Sequence, residues 1–235
     1  MPARPKLILF SGLGVDARLL AEQRTIDADI IVPAWIEPTA GESLASYGRR
    51  FAAHLRPTEP IFIGGVSFGG MVAQEVARHV PTRGLVLLAT CRSWRGVPAP
   101  YRWVAQGGTH LPLWAVEPGK RLAMRLKPLM GLATGQHLAW FDAMLADTDA
   151  AFLQWAGGAL ANWPGVGPLA VPYVQIQGAR DLILPARYSS PTHVIPRAGH
   201  LVNITHAPAV NAIVGEFLAA HASPLVPSPG TPGEG

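Results

Sequence analysis

Ser67 stands inside Gly65-Val66-Ser67-Phe68-Gly69-Gly70, between an apolar run, Pro60-Ile61-Phe62-Ile63, and a helical pattern, Met71 to Ala77. A strand that turns sharply into a helix around Gly-x-Ser-x-Gly lifts the serine hydroxyl above the end of a sheet. The new helix points its first N–H groups at whatever that hydroxyl attacks. Gly65 and Gly69 are expected there because a Cβ at either would collide with the neighbouring strand or helix. A serine hydroxyl is a poor nucleophile at neutral pH; it needs a base, and the base needs an orienting carboxylate. These partners are expected later in the chain, in the order acid then histidine, in loops past the C-terminal ends of later strands. Gln177-Gly178-Ala179-Arg180-Asp181 and Ile195-Pro196-Arg197-Ala198-Gly199-His200 both follow predicted strands, with Gly178 and Gly199 supplying turns. Ser67, Asp181 and His200 are therefore the candidate catalytic residues. An oxyanion hole needs two backbone N–H donors aimed at the developing charge. Phe68, directly after the nucleophile, supplies one. Leu13, in the loop Ser11-Gly12-Leu13-Gly14 after the first strand, is the candidate for the other.

Holding these residues together requires a sheet. Six short apolar runs are read as strands: 7–10, 29–33, 61–66, 84–89, 171–177 and 192–195. Their continuous hydrophobicity suits parallel strands buried on both faces. Helical patterns fall at about 17–23, 43–55, 70–79 and 206–220, and strand–helix alternation predicts an open α/β sheet with right-handed crossovers. Asp16 is expected to N-cap the first of these helices rather than act as an acid.

Three segments, Ser in a strand-to-helix turn, Gly-x-x-Asp-x-x-x-Pro at 178–185 and Gly199-His200, make the chain resemble the α/β-hydrolase superfamily over residues 6–90 and 168–220. The resemblance implies Ser67 as nucleophile, His200 as general base and acid, and Asp181 as its orienter. Many relatives have His-Gly where Ser11-Gly12 stands here; the donor is a backbone group, so the hole survives the exchange. The family usually begins with two further strands. This chain starts at the equivalent of the third, which implies a reduced sheet of six parallel strands in the order 2-1-3-4-5-6. The loop Gly12-Leu13-Gly14-Val15-Asp16 and the stretch 147–163 are similar to bacterial members with a Gly-Leu-Gly-x-Asp loop. That likeness supplies no substrate.

Residues 92–163 break the alternation. They are rich in Trp, Leu, Met and Ala with no clear strand, and read as a helical cap inserted between the fourth and fifth strands of a core made of 1–91 and 164–222. Asp147 or Asp149 is the expected N-cap of a helix beginning at Ala150. Trp94, Trp103 and Trp155 are candidates for lining an acyl pocket, against the plainer reading of cap packing. Residues 223–235, rich in Pro and Gly, are expected to form a disordered tail.

The chain has 235 residues, of which 49% are hydrophobic and 14% charged, a globular composition. No apolar run reaches membrane-spanning length, and the stretch after the basic start is too short for a signal-peptide core, so a cytoplasmic protein is expected. The single cysteine, Cys91, excludes an internal disulfide. The net charge is +4, with Arg92, Arg95 and Arg102 close together and Lys120, Arg121, Arg125 and Lys127 forming a second group. Without a denser stripe or a matching motif this reads as a solvated basic face, with recognition of an anionic group as the lesser alternative, and nucleic acid is not expected. The remaining histidines show no metal-ligand spacing, and neither a dinucleotide fingerprint nor a phosphate loop is complete, so no metal or cofactor is expected. The reading is a serine hydrolase acting on esters of small to medium hydrophobic acyl groups, with a small-molecule ester as its partner. A thioesterase, amidase, acyltransferase or C–C lyase with the same triad, or a non-catalytic ligand receptor, stands as the alternative.

Overall fold

A computed structural model of the chain describes residues 4–125 and 136–222; the predicted tail and part of the insertion lie outside the described residues. Six strands form one sheet: β1 (Lys6–Phe10), β2 (Asp29–Ile31), β3 (Ile61–Val66), β4 (Thr82–Leu88), β5 (Tyr173–Gly178) and β6 (His193–Ile195). Every pairing is parallel and the order is β2-β1-β3-β4-β5-β6, as the sequence predicts. Alternation of side chains along each strand explains the continuous apolar runs. Leu7 and Leu9 of β1, Phe62 and Val66 of β3, and Val86 and Leu88 of β4 enter one core. Ile8, Phe10, Ile63, Leu85 and Leu87 enter the other.

Both-face burial fails at the two sheet edges. β2 and β6 are three residues each and mostly uncovered. An edge strand pairs on one side only, and Pro33, with no N–H to give, ends β2 two residues before the predicted limit.

The first core is closed by α8 (Ala207–His221) and by Leu19 and Leu20 of a segment at Ala17–Thr25. That segment is 3₁₀ rather than α, and the Asp16 carboxylate caps it by accepting from the Arg18 N–H. The second core is closed by α1 (Leu44–Leu55) and α2 (Phe68–Ala77).

Between β4 and β5 the described residues form α3 (Ala99–Gly108), α4 (Leu113–Arg125), α5 (Gln136–Asp147) and α6 (Ala150–Ala161), with no strand among them. Asp149, not Asp147, N-caps α6, accepting from the Phe152 N–H at 2.8 Å; Asp147 instead accepts from Arg18. Among the described residues, the insertion builds no core of its own. Phe141, Met144 and Leu145 of α5 join the first core; Phe152, Ala156 and Ala159 of α6 join the second. A four-residue α7 (Val202–Thr205) links the loop after β6 to α8.

Candidate active site

The turn from β3 into α2 places Ser67 at φ 53°, ψ −119°, a conformation that costs a non-glycine residue about 1–3 kcal/mol. Neighbouring contacts hold it there. The Ser67 N–H donates to the Leu88 carbonyl at 2.9 Å, and the Thr90 hydroxyl donates to the Ser67 carbonyl at 2.6 Å. The two flanking glycines do what steric reasoning requires. A Cβ on Gly69 would strike the Ser11 and Phe10 carbonyl groups at the end of β1, and one on Gly65 would strike the backbone of Gly69 and Gly70. The serine, strained and half-buried at the sheet rim, is thus fixed by close backbone packing on both sides.

His200 and Asp181 come to the same rim. The Nε2 of His200 lies 3.0 Å from the Ser67 hydroxyl oxygen, and its Nδ1 lies 2.8 Å from Oδ2 of Asp181. A carboxylate only accepts, so the Nδ1 carries the proton and the Nε2 is left to accept from the serine. His200 is 5% exposed and the Asp181 side chain is fully buried. Burial of an anion is offset here by four donors. Oδ1 accepts from the Ile183 and Leu184 N–H groups at 2.8 and 2.9 Å; Oδ2 accepts from His200 and from the Gln177 amide at 2.9 Å. The acid loop and the histidine loop are joined directly, since the Ala179 and Arg180 N–H groups donate to the Ile195 and Ala198 carbonyls. Gly178 serves this contact by close approach rather than by an unusual turn, because a Cβ there would meet the Ala198 and Gly199 carbonyls.

Leu13 and Phe68 both border the serine, lining one cavity with Ser67 and His200. Among the described residues, neither of their N–H groups donates to a protein acceptor. The loop that carries Leu13 is held by the Ser11 hydroxyl, which donates to the Val15 carbonyl at 3.0 Å. Ser11, where many family members have histidine, thus acts as a loop brace.

The cavity has a volume of about 430 Å³ and a mostly apolar wall: Leu13, Val15, Leu19, Phe141, Leu145, Leu153, Leu160 and Ile183. The three candidate tryptophans do not line it. On α6, positions 153, 157 and 160 share one helical face, and that face fronts the cavity. Trp155 projects elsewhere: its indole donates to the Glu42 carbonyl at 2.8 Å and its ring lies 4.5 Å from that of Tyr47. Trp103 is 70% exposed on the outer side of α3. Trp94 lies under the Arg102 guanidinium, 4.5 Å from its ring centre. Aromatic type alone says nothing of which helical face a residue occupies.

Two residues near the site escaped the sequence reading. Gln177 supports Asp181; its signal is two glutamines, Gln175 and Gln177, at alternate positions of a buried strand, where a polar side chain is expensive unless bonded. Lys120, grouped by sequence with a solvated basic face, is 6% exposed and lines the cavity. No group of three or more potential metal ligands occurs among the described residues.

The profile of the Alpha/beta hydrolase family matches residues 10–213. No curated protein matches the chain in sequence. Among solved structures, a thermophilic esterase from Thermogutta terrifontis superimposes with a TM-score of 0.69 at 21% identity, covering 94% of this chain and 92% of that one. A hydrolase from Pseudomonas aeruginosa gives a TM-score of 0.71 at 20% identity over 92% of this chain and 90% of its own. An esterase from Exiguobacterium antarcticum gives 0.73 at 10% identity over 93% of each chain. At such identities the likeness is one of fold. The family match runs from the end of β1 into α8, across all six strands' connections, and on that match the chain belongs to the alpha/beta hydrolase family.

Proposed function

We propose that the protein is a serine hydrolase that cleaves carboxylic esters of small to medium hydrophobic acyl groups through an acyl-enzyme. The observation that carries this reading is the continuous relay from Ser67 through His200 to Asp181, at 3.0 and 2.8 Å. As the Ser67 oxygen attacks the ester carbonyl, His200 takes its proton at Nε2. The imidazolium is supported by the buried Asp181 carboxylate. The Phe68 and Leu13 N–H groups donate to the tetrahedral oxyanion. His200 then protonates the departing alcohol, and in the second half-reaction it activates water to release the acid.

Residues 92–163 act as a cap over a core of 1–91 and 164–222, since α3 to α6 provide much of the cavity wall. A cavity of about 430 Å³ suits an acyl group of modest size. Several superimposable structures are themselves esterases, which favours this reading among the chemistries open to such a triad.

The test is a panel of p-nitrophenyl esters from acetate to decanoate. The expected result is turnover that peaks at short to medium chains and falls by at least about a thousandfold in Ser67→Ala. Equal rates in the variant would remove Ser67 from the reaction.

A further inference from the structure

Lys120 is the only lysine or arginine lining the active-site cavity among the described residues. Its wall is otherwise mostly aliphatic, which makes an ammonium there costly unless it is bonded. Among the described residues its ammonium has two partners: it donates to the Thr148 carbonyl at 2.6 Å and forms an ion pair with Oε1 of Glu117 at 2.8 Å, one turn earlier on α4. Glu117 itself is 57% exposed. A half-exposed carboxylate on a flexible stem is a weak and replaceable partner. The other polar side chain of the wall outside Ser67 and His200, Gln154, has its amide nitrogen committed to the Gly108 and Leu111 carbonyls.

From this arrangement we infer that Lys120 is an anion-recognising residue of the substrate cavity, and that the preferred substrate is an ester whose apolar chain ends in a carboxylate. The inference rests on the hydrolase reading for the place of the ester bond and extends it to the far end of the chain. The scissile carbonyl sits at Ser67, the methylene chain lies along Leu13, Leu145, Leu153 and Leu160, and the terminal carboxylate pairs with the Lys120 ammonium, displacing Glu117. A purely structural lysine would serve only to tie α4 to the turn before α6 through Thr148. That duty needs no place in the cavity wall.

The experiment compares monoethyl half-esters of dicarboxylic acids, succinate to suberate, with ethyl esters of the monocarboxylic acids of equal length. At the best length, kcat/KM is expected to favour the half-ester by tenfold or more. In Lys120→Met that ratio is expected to fall to one or below. Lys120→Arg keeps it above one, and Glu117→Gln, which removes the competing carboxylate, raises it. A wild-type ratio at or below one for every length overturns the proposal, and so does a Lys120→Met loss that is equal for both series. Calorimetric binding of monoethyl adipate to Ser67→Ala separates the two readings. Binding that disappears on adding Lys120→Met supports the subsite even if no ester is turned over. Absence of binding in Ser67→Ala overturns it even if neutral esters are hydrolysed.

Discussion

In the proposed mechanism His200 receives a proton at one nitrogen and holds one at the other, so it depends on what the second nitrogen touches. That nitrogen meets Asp181, which is in turn held by three further donors, one of them Gln177. His200→Ala is expected to reduce ester turnover by about three orders of magnitude or more while shifting the melting temperature by no more than about 5 °C. Near-wild-type turnover would take His200 out of the reaction. Gln177→Leu leaves the triad in place but removes one donor from Oδ2 of Asp181. The expected outcome is a fall of roughly tenfold in kcat with KM little changed, the scale of one buried hydrogen bond. A change confined to KM would assign Gln177 to substrate binding instead. Ser67, Asp181 and His200 were legible because each carries a local signature and each follows a strand. Gln177 and Lys120 carry no motif. Their places beside the site arise from which side of a strand or helix they occupy, and residue type does not encode that.

At the scale of elements, the turn around Ser67 works only because β1, β3 and α2 approach at backbone distance. Gly69→Ala forces a methyl into the Ser11 and Phe10 carbonyls, which nothing can relieve without moving β1. We expect a loss of at least about 3 kcal/mol in urea unfolding together with loss of activity. A variant as stable as the wild type would contradict the packing.

The end of β4 offers an independent check. Burial pushes the Cys91 thiol up to about 12. A thiol whose pKa is raised stays protonated through neutral and mildly alkaline pH, so Cys91 is expected not to react with a disulfide reagent at pH 8 until the protein is unfolded. Stoichiometric reaction in the native state would show that the β4 end is open. The central strands were easy to read because burial on both faces makes their sequences uniformly apolar. At β2 and β6 the apolar runs extend beyond the strands themselves, since strands at a sheet edge lose that constraint. The 3₁₀ form of Ala17–Thr25 had no sequence signal distinguishing it from an α-helix.

At the scale of the whole molecule, α5 and α6 of the insertion contribute side chains to the two cores that flank the sheet. At its C-terminal end the fully buried Trp163 donates its indole N–H to Oε1 of Glu75 on α2 at 2.7 Å. Trp163→Phe keeps an aromatic ring but removes the pyrrole half of the indole with its N–H, and leaves a buried carboxylate one donor short. The expected cost is about 1–3 kcal/mol, read as a drop of several degrees in melting temperature. An unchanged melting temperature would mean that this contact does not anchor the insertion. Its existence was visible in the sequence as a break in strand–helix rhythm. Its sharing of both cores was not, because apolar residues look alike whether they pack against one another or against a sheet.

The convergence of residues 67, 181 and 200 is tested most directly by peptide mapping after treatment with a fluorophosphonate. The account predicts a single phosphonyl adduct, on the peptide containing Ser67, in the wild-type protein, and its near-absence in His200→Ala. No adduct on a folded wild-type sample, or one formed equally well without the imidazole, would contradict it.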